Sequence, residues 1–188
     1  DKMPRLTRLD YVSNSNDSYW LSNAQMPIEG YSPIIGSENS ARSLRTRAGL
    51  TQLAELQRAK KRLDAKDLRE MLYNHRNYAA ELLLDDLLAV CENDATLKDI
   101  CKVLSSWDRT MNVESKGGHV WREFWREARS IKNLYKRPFD QADPINTPSG
   151  LNIEDAEVRE QLRAALSAGV KRLKEANIAL DARLGEIQ

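Results

Sequence analysis

The feature that most constrains this chain is an apolar stripe, Val158, Leu162, Leu166, Val170 and Leu173, recurring at i, i+4, i+8. That spacing follows the 3.6-residue turn of an α-helix and leaves one continuous face to bury, so it predicts a long final helix over 154–176. The same period occurs upstream. Ser40 can cap a helix carrying Leu44, Leu50, Leu53 and Leu56, and Asp64 can cap another that buries Leu68, Met71, Leu72 and the leucines of 82–88. Residues 96–107 and 120–135 read as two more helices.

Strand character is confined to residues 9–21, where Tyr11, Val12, Tyr19 and Trp20 bracket a polar centre at 14–18, as though one strand entered a turn and another left it. Pro27, Gly30, Pro33 and Gly36 exclude regular elements from 23–39 and predict a surface or cleft-lining loop. A second irregular connector is expected near 136–152, where Pro138, Pro144, Pro148 and Gly150 fall. The fold class read from these signals is mostly α with a short β segment at the N-terminus. Its organisation is a strand-turn-strand and loop over 1–40, then a helical part over 41–188.

The 188 residues suit one compact domain or two small ones, and 41% hydrophobic with 30% charged residues is an ordinary balance for a chain that can bury a core. With 29 basic and 28 acidic side chains, the net charge of +1 supplies no field for nucleic acid or an anionic membrane surface. No apolar run approaches the roughly 20 residues that span a bilayer. No repeat or long heptad tract is present. Cys91 and Cys101 lie either side of a helix-turn-helix in which Glu92, Asn93 and Asp94 supply turn and capping residues. Two readings stay open for them: a disulfide, adding roughly 2–3 kcal/mol by closing a short loop, or two buried thiols. Neither they nor His75 and His119 have the paired spacing of a zinc site.

Among chemistry-bearing motifs, Asn14-Ser15-Asn16-Asp17-Ser18-Tyr19-Trp20 stands out, because clustered carboxamides can serve as neutral donors to a developing anion. An Asx-turn, in which these side chains only bond nearby backbone, is the plain structural reading. With the flanking Pro4-Arg5-Leu6 and Arg8-Leu9-Asp10-Tyr11-Val12, the motif resembles the β-chain interior of penicillin acylase-type N-terminal nucleophile hydrolases, in the branch of acyl-homoserine lactone and aculeacin acylases. Leu44-Arg45-Thr46-Arg47-Ala48-Gly49, Asn77-Tyr78-Ala79-Ala80-Glu81, Pro138-Phe139-Asp140 and Pro144-Ile145-Asn146-Thr147-Pro148 resemble the same branch in the same order, nearly end to end.

The resemblance implies an amidohydrolase that cleaves N-acyl compounds such as acyl-homoserine lactones through an acyl-enzyme on an N-terminal serine. It implies Asn16 as the oxyanion donor and Arg45 as an orienting residue, with Arg42 and Arg47 close enough to compete for that role. Trp20 and Tyr31, with Pro33-Ile34, are candidates to line an apolar acyl-chain pocket, although Trp20 reads first as a core residue. The family's nucleophile heads its β chain whereas Asp1 heads this one, so the expectation is a C-terminal-side piece of that chain, inactive alone. Its partners would be the rest of the same acylase and a small acyl amide, in the periplasm or outside the cell. No cofactor is implied. Calcium, bound in one branch through an aspartate shortly after the asparagine, finds no aspartate at 25–28.

Trp107, Trp121 and Trp125 read as helix-contact aromatics, and His75 as a half-exposed helical histidine with no nucleophile beside it. Asp85, Asp86, Asp140 and Asp143 read as solvated faces or turn caps. The rival function is a noncatalytic helical module that binds a partner chain through exposed apolar faces. The acylase reading expects the Asn16 amide to be unpaired, and the module reading expects it buried in a turn.

Overall fold

A computed structural model describes residues 3–60, 62–91 and 94–187. Among the described residues, six α-helices and one small antiparallel sheet make it mostly α. Contacts divide the chain into two units: Asp1–Tyr73 with Pro138–Pro148, and Asn74–Arg137 with Ser149–Gln188.

In the first unit no strand forms among the described residues, contrary to the strand-turn-strand expected there. The physical reason is local competition. Asn14 Oδ1 accepts from the Asn16 amide at 2.7 Å, Asp17 Oδ1 from the Ser18 amide at 2.8 Å and Ser18 Oγ from the Trp20 amide at 3.2 Å. Side chains thereby take the donors that a ladder would need. A 3-10 turn, Tyr19–Leu21, results, and a single backbone bond from Ser13 N to Ser22 O (2.8 Å) closes the loop around it.

Trp20, Leu21, Tyr31 and Leu50 form the core of this unit, with Tyr11, Ala24, Ile28, Ile35, Phe139 and Ile145 packed on it. The Phe139 ring meets Trp20 edge-on at 6.5 Å. Helix α1, Leu44–Ala59, is capped by Ser43, whose Oγ accepts from the Thr46 amide at 3.2 Å. Ser40, the expected cap, instead bonds Ser37 Oγ and Arg42. Helix α2, Ala65–Tyr73, starts at Asp64 as expected, with Asp64 Oδ1 accepting from the amides of Lys66 (2.8 Å) and Asp67 (3.0 Å). Its apolar stripe is not buried, for Leu68 is 51% and Leu72 71% exposed.

The helix expected to continue through the leucines of 82–88 breaks at 74–77. His75 takes a left-handed φ of 52° and Asn77 Oδ1 accepts from the Ala80 amide at 3.1 Å, capping a separate helix. His75 is therefore an exposed turn residue and not a helical one.

The second unit opens with that helix, α3 (Tyr78–Cys91), and continues through α4 (Lys98–Ser106) and α5 (Gly118–Ala128). Cys91 and Cys101 are joined as a disulfide across 6.2 Å between Cα atoms, tying α3 to α4. Of the expected turn residues, Glu92 and Asn93 lie outside the described residues, while Asp94 Oδ1 accepts from the Thr96 amide (3.0 Å) and hydroxyl (2.6 Å). Helix α5 stops at Ala128, short of the expected 135, where the Ser130 and Ile131 amides turn back onto the Glu127 and Ala128 carbonyls (3.3 and 3.0 Å); Asn133 then takes a left-handed φ of 53° ahead of strand β1, Tyr135–Arg137.

β1 pairs antiparallel with β2, Ser149–Leu151, in the register Tyr135↔Leu151 and Arg137↔Ser149. These strands replace part of the expected irregular connector. Asp86 Oδ2 fixes β2 to α3 by accepting from the Leu151 amide at 2.7 Å. Helix α6, Ala156–Glu175, is capped by Asp155, whose Oδ1 accepts from the Glu157 and Val158 amides at 2.9 and 3.2 Å. Its expected stripe is buried, and α6 packs on α5 through it. At Gly169 a Cβ would lie 3.0 Å from the backbone of Glu123 and Phe124, so only a glycine lets the two helices approach so closely. Trp121 centres the aromatic core, its ring 6.0 Å from Trp107, 5.2 Å from Phe124 and 6.0 Å from Trp125.

Candidate functional site

The site is the turn at residues 14–18 together with the first turn of α1. Asn16 carries a φ of 55°, a left-handed conformation that asparagine tolerates better than most residues because its short amide bonds locally. The Asx-turn read from the sequence is present, built by Asn14 and not by Asn16, so the Asn16 side chain is spared for other partners. Its Oδ1 faces the Arg45 guanidinium, 3.4 Å from both Nη1 and Nη2, while Arg45 Nη2 also donates to the Ser15 carbonyl oxygen. A guanidinium can only donate, so Oδ1 is the atom turned toward it and Nδ2 is turned away. Among the described residues that Nδ2 donates to no protein acceptor, and Asn16 and Arg45 are both exposed.

The three neighbouring arginines are sorted by this geometry. Arg45 reaches the turn. Arg42, 8% exposed, pairs with Asp17 Oδ1 at 3.0 Å, donates from Nε to the Ser40 carbonyl at 2.9 Å and lies 5.7 Å over the Trp20 ring. Arg47, 1% exposed, donates from Nε to the Ile145 carbonyl at 2.6 Å and so holds the 138–148 segment against α1.

The sequence offers Asp17 only as a member of the motif and a possible Asx-turn residue, with no role of its own. Its Oδ2 accepts from Thr46 Oγ1 at 2.6 Å and from the Ser43 amide at 3.3 Å, beside its bonds to Arg42 and Ser18. Burial pushes this carboxyl up, but the hydrogen bonds from Thr46, Ser18 and Ser43 with the Arg42 charge outweigh it, and Asp17 sits below the ordinary carboxylate range. The signal that could have found it is Ser43-x-x-Thr46, a capped helix start in need of an anion at its N-terminus.

Trp20 and Tyr31, considered for an acyl-chain pocket, are 2% and 7% exposed and pack in the core of the first unit, whereas Ile34 is 96% exposed. Tyr31 also supports the turn, its hydroxyl 2.7 Å from Ser18 Oγ, which donates onward to the Ser37 carbonyl at 2.5 Å. The four aspartates weighed earlier have structural partners: Asp85 pairs with Arg109, Asp86 with the Leu151 amide, Asp140 with the Ala142 amide and Asp143 with the Asn146 amide group. In the second unit an open groove of about 880 Å³ lies beside the disulfide, lined by Leu88, Ala95, Lys98, Asp99, Lys102 and Ser105 among others.

A left-handed asparagine with its carboxamide nitrogen presented and its oxygen held by an arginine is an arrangement suited to donate toward an anionic oxygen. The chain belongs to the penicillin amidase family, whose model matches residues 1–188. Among curated proteins it is 34% identical to the acyl-homoserine lactone acylase PvdQ of Pseudomonas savastanoi pv. phaseolicola, over 100% of this chain and 25% of that protein. It is 32% identical to PvdQ of Pseudomonas putida (99% of this chain, 24% of that protein), and 35% identical to aculeacin-A acylase of Actinoplanes utahensis (87% and 22%). The chain thus spans about a quarter of the length of the curated relatives it matches.

Proposed function

We propose that these residues are part of an acylase that hydrolyses the amide of N-acyl compounds, such as acyl-homoserine lactones or related acyl amides, and that Asn16 Nδ2 donates to the oxyanion. The observation that carries the reading is the orientation of Asn16: Arg45 Nη1 and Nη2 each sit 3.4 Å from Oδ1, which turns Nδ2 away from the guanidinium. A serine at the N-terminus of the mature β chain, freed by self-cleavage and outside these residues, attacks the amide carbon with its own α-amine as base. The carbonyl oxygen gains charge, which Asn16 holds. The carbon–nitrogen bond then breaks, the amine leaves with the proton, and water cleaves the resulting ester.

In this reading Arg45 orients Asn16, and Trp20 and Tyr31 support the turn from below. The αββα sheet sandwich of N-terminal nucleophile hydrolases is completed by the rest of the acylase, for which the exposed Leu68, Leu72 and Tyr73 of α2 offer an apolar contact face. The disulfide fits a periplasmic or secreted setting, since such bonds persist in oxidising compartments.

The test is hydrolysis of a long-chain acyl-homoserine lactone by the full-length protein and its Asn16→Ala variant. The expected loss is about 10²–10³ in kcat, the range for one oxyanion donor. A folded, processed variant with unchanged kcat returns the motif to a structural turn.

A further inference from the structure

We propose that Asp17 is the positioning residue of this site: its carboxylate fastens the Asn16 turn to the first turn of α1 and thereby sets the Asn16 amide against Arg45. The inference rests on the oxyanion reading of Asn16.

Asn16 and Arg45 are both exposed, so no packing holds either side chain in place. What lies between them is a polar clamp. Asp17, next in the chain to Asn16, reaches across to Ser43, Thr46 and Arg42, and Thr46 stands next in the chain to Arg45. Thr46 is 6% and Arg42 8% exposed, so the far side of the clamp is rigid even though the site itself is open. Arg42 is fixed in turn by the Ser40 carbonyl (2.9 Å) and Ser37 Oγ (3.1 Å). A carboxylate at a helix N-terminus is favourable by itself, and here it joins the two chain segments that carry the two working side chains.

Each Asp17 oxygen accepts from two donors: Oδ1 from Arg42 and the Ser18 amide, Oδ2 from Thr46 and the Ser43 amide. An amide in its place would present NH2 on one side to donors that need an acceptor. Asp17→Asn is therefore nearly isosteric yet opens one half of the clamp. A displacement of about 1 Å in a catalytic group costs up to about 100-fold in rate.

The experiment is a double-mutant cycle in the full-length protein, reading kcat and KM on a long-chain acyl-homoserine lactone for Asp17→Asn, Asn16→Ala and the pair. The expected result is a fall in kcat of up to about 100-fold for Asp17→Asn with KM little changed, and no further fall when it is added to Asn16→Ala. A residue with only a structural role would lower both backgrounds alike, and that result overturns the proposal. So does Asp17→Asn with full kcat while Asn16→Ala is impaired, an outcome that leaves the oxyanion reading intact. Full activity of Asn16→Ala removes the oxyanion reading and this proposal with it. If Asp17→Asn does not accumulate as folded protein, Thr46→Val, which deletes one donor and keeps the shape, replaces it in the same cycle, with a smaller loss of kcat and the same non-additivity expected.

Discussion

The turn that carries Asn16 and the helical pair α5 and α6 are held by different forces. Around Asn16 the chain is fixed by directed polar contacts: Asn14 to its own backbone, Asp17 to Thr46, Ser43 and Arg42, Ser18 to Tyr31 and Ser37. Between α5 and α6 the work is done by apolar burial, with Phe124, Leu162 and Leu166 at 0%, 0% and 1% exposure and a glycine at the point of closest approach. Hydrogen bonds fix direction, and a donor site needs direction. Burial supplies bulk free energy with little directional control.

Perturbations of each region sharpen this contrast. Phe124→Ala removes a fully buried ring from the helical core and is expected to cost about 3–5 kcal/mol, read as lost amide-exchange protection along α5 and α6 in the full-length protein. The bond from Ser13 N to Ser22 O, in the first unit, should keep its protection; its loss would mean that the two regions do not differ as described. Ser43→Ala deletes the α1 cap and is expected to cost about 1 kcal/mol, seen as faster exchange at the Thr46 and Arg47 amides.

The smallest effect is a pH dependence at His119, which is 0% exposed and donates from Nε2 to the Ala179 carbonyl at 2.9 Å. Burial pushes this imidazole below its ordinary 6.5, against the pull of the Ala179 carbonyl. Its contribution is therefore whole above about pH 6.5 and declines as pH falls through that value, because the unfolded chain binds the proton first; the decline ends once the folded imidazole titrates too. His119→Phe should flatten this slope in denaturant unfolding followed from about pH 8 to about pH 5. An unchanged slope would locate the titration in another group.

The sequence disclosed α6 well, because its stripe is strict and its cap, Asp155, sits where the period begins. It misled at α2, where Leu68 and Leu72 have the spacing of a buried face yet stand exposed. The break after α2 was hidden in Asn74-His75-Arg76-Asn77, whose capping atom is visible only once Asn77 Oδ1 is seen on the Ala80 amide. β1 and β2 have three residues each, too short for alternation to register. At the candidate site, the family resemblance pointed to Asn16 and Arg45, whose side chains meet at 3.4 Å; the Asp17 clamp was not legible, since it joins residues 17, 42, 43 and 46, whose proximity no local pattern states.

The 138–148 segment, anchored to α1 by Arg47 and to Trp20 by Phe139, carries a consequence for biosynthesis. A ribosome releases Trp20 and Arg47 long before Ile145, which lies 98 positions after Arg47. The core beneath the Asn16 turn stays open while α3, α4 and α5 emerge, and Phe139 and Ile145 reach it only afterwards. The support under the candidate site is thus finished only once the chain has grown 98 residues past Arg47, well after the residues that form the site have been made.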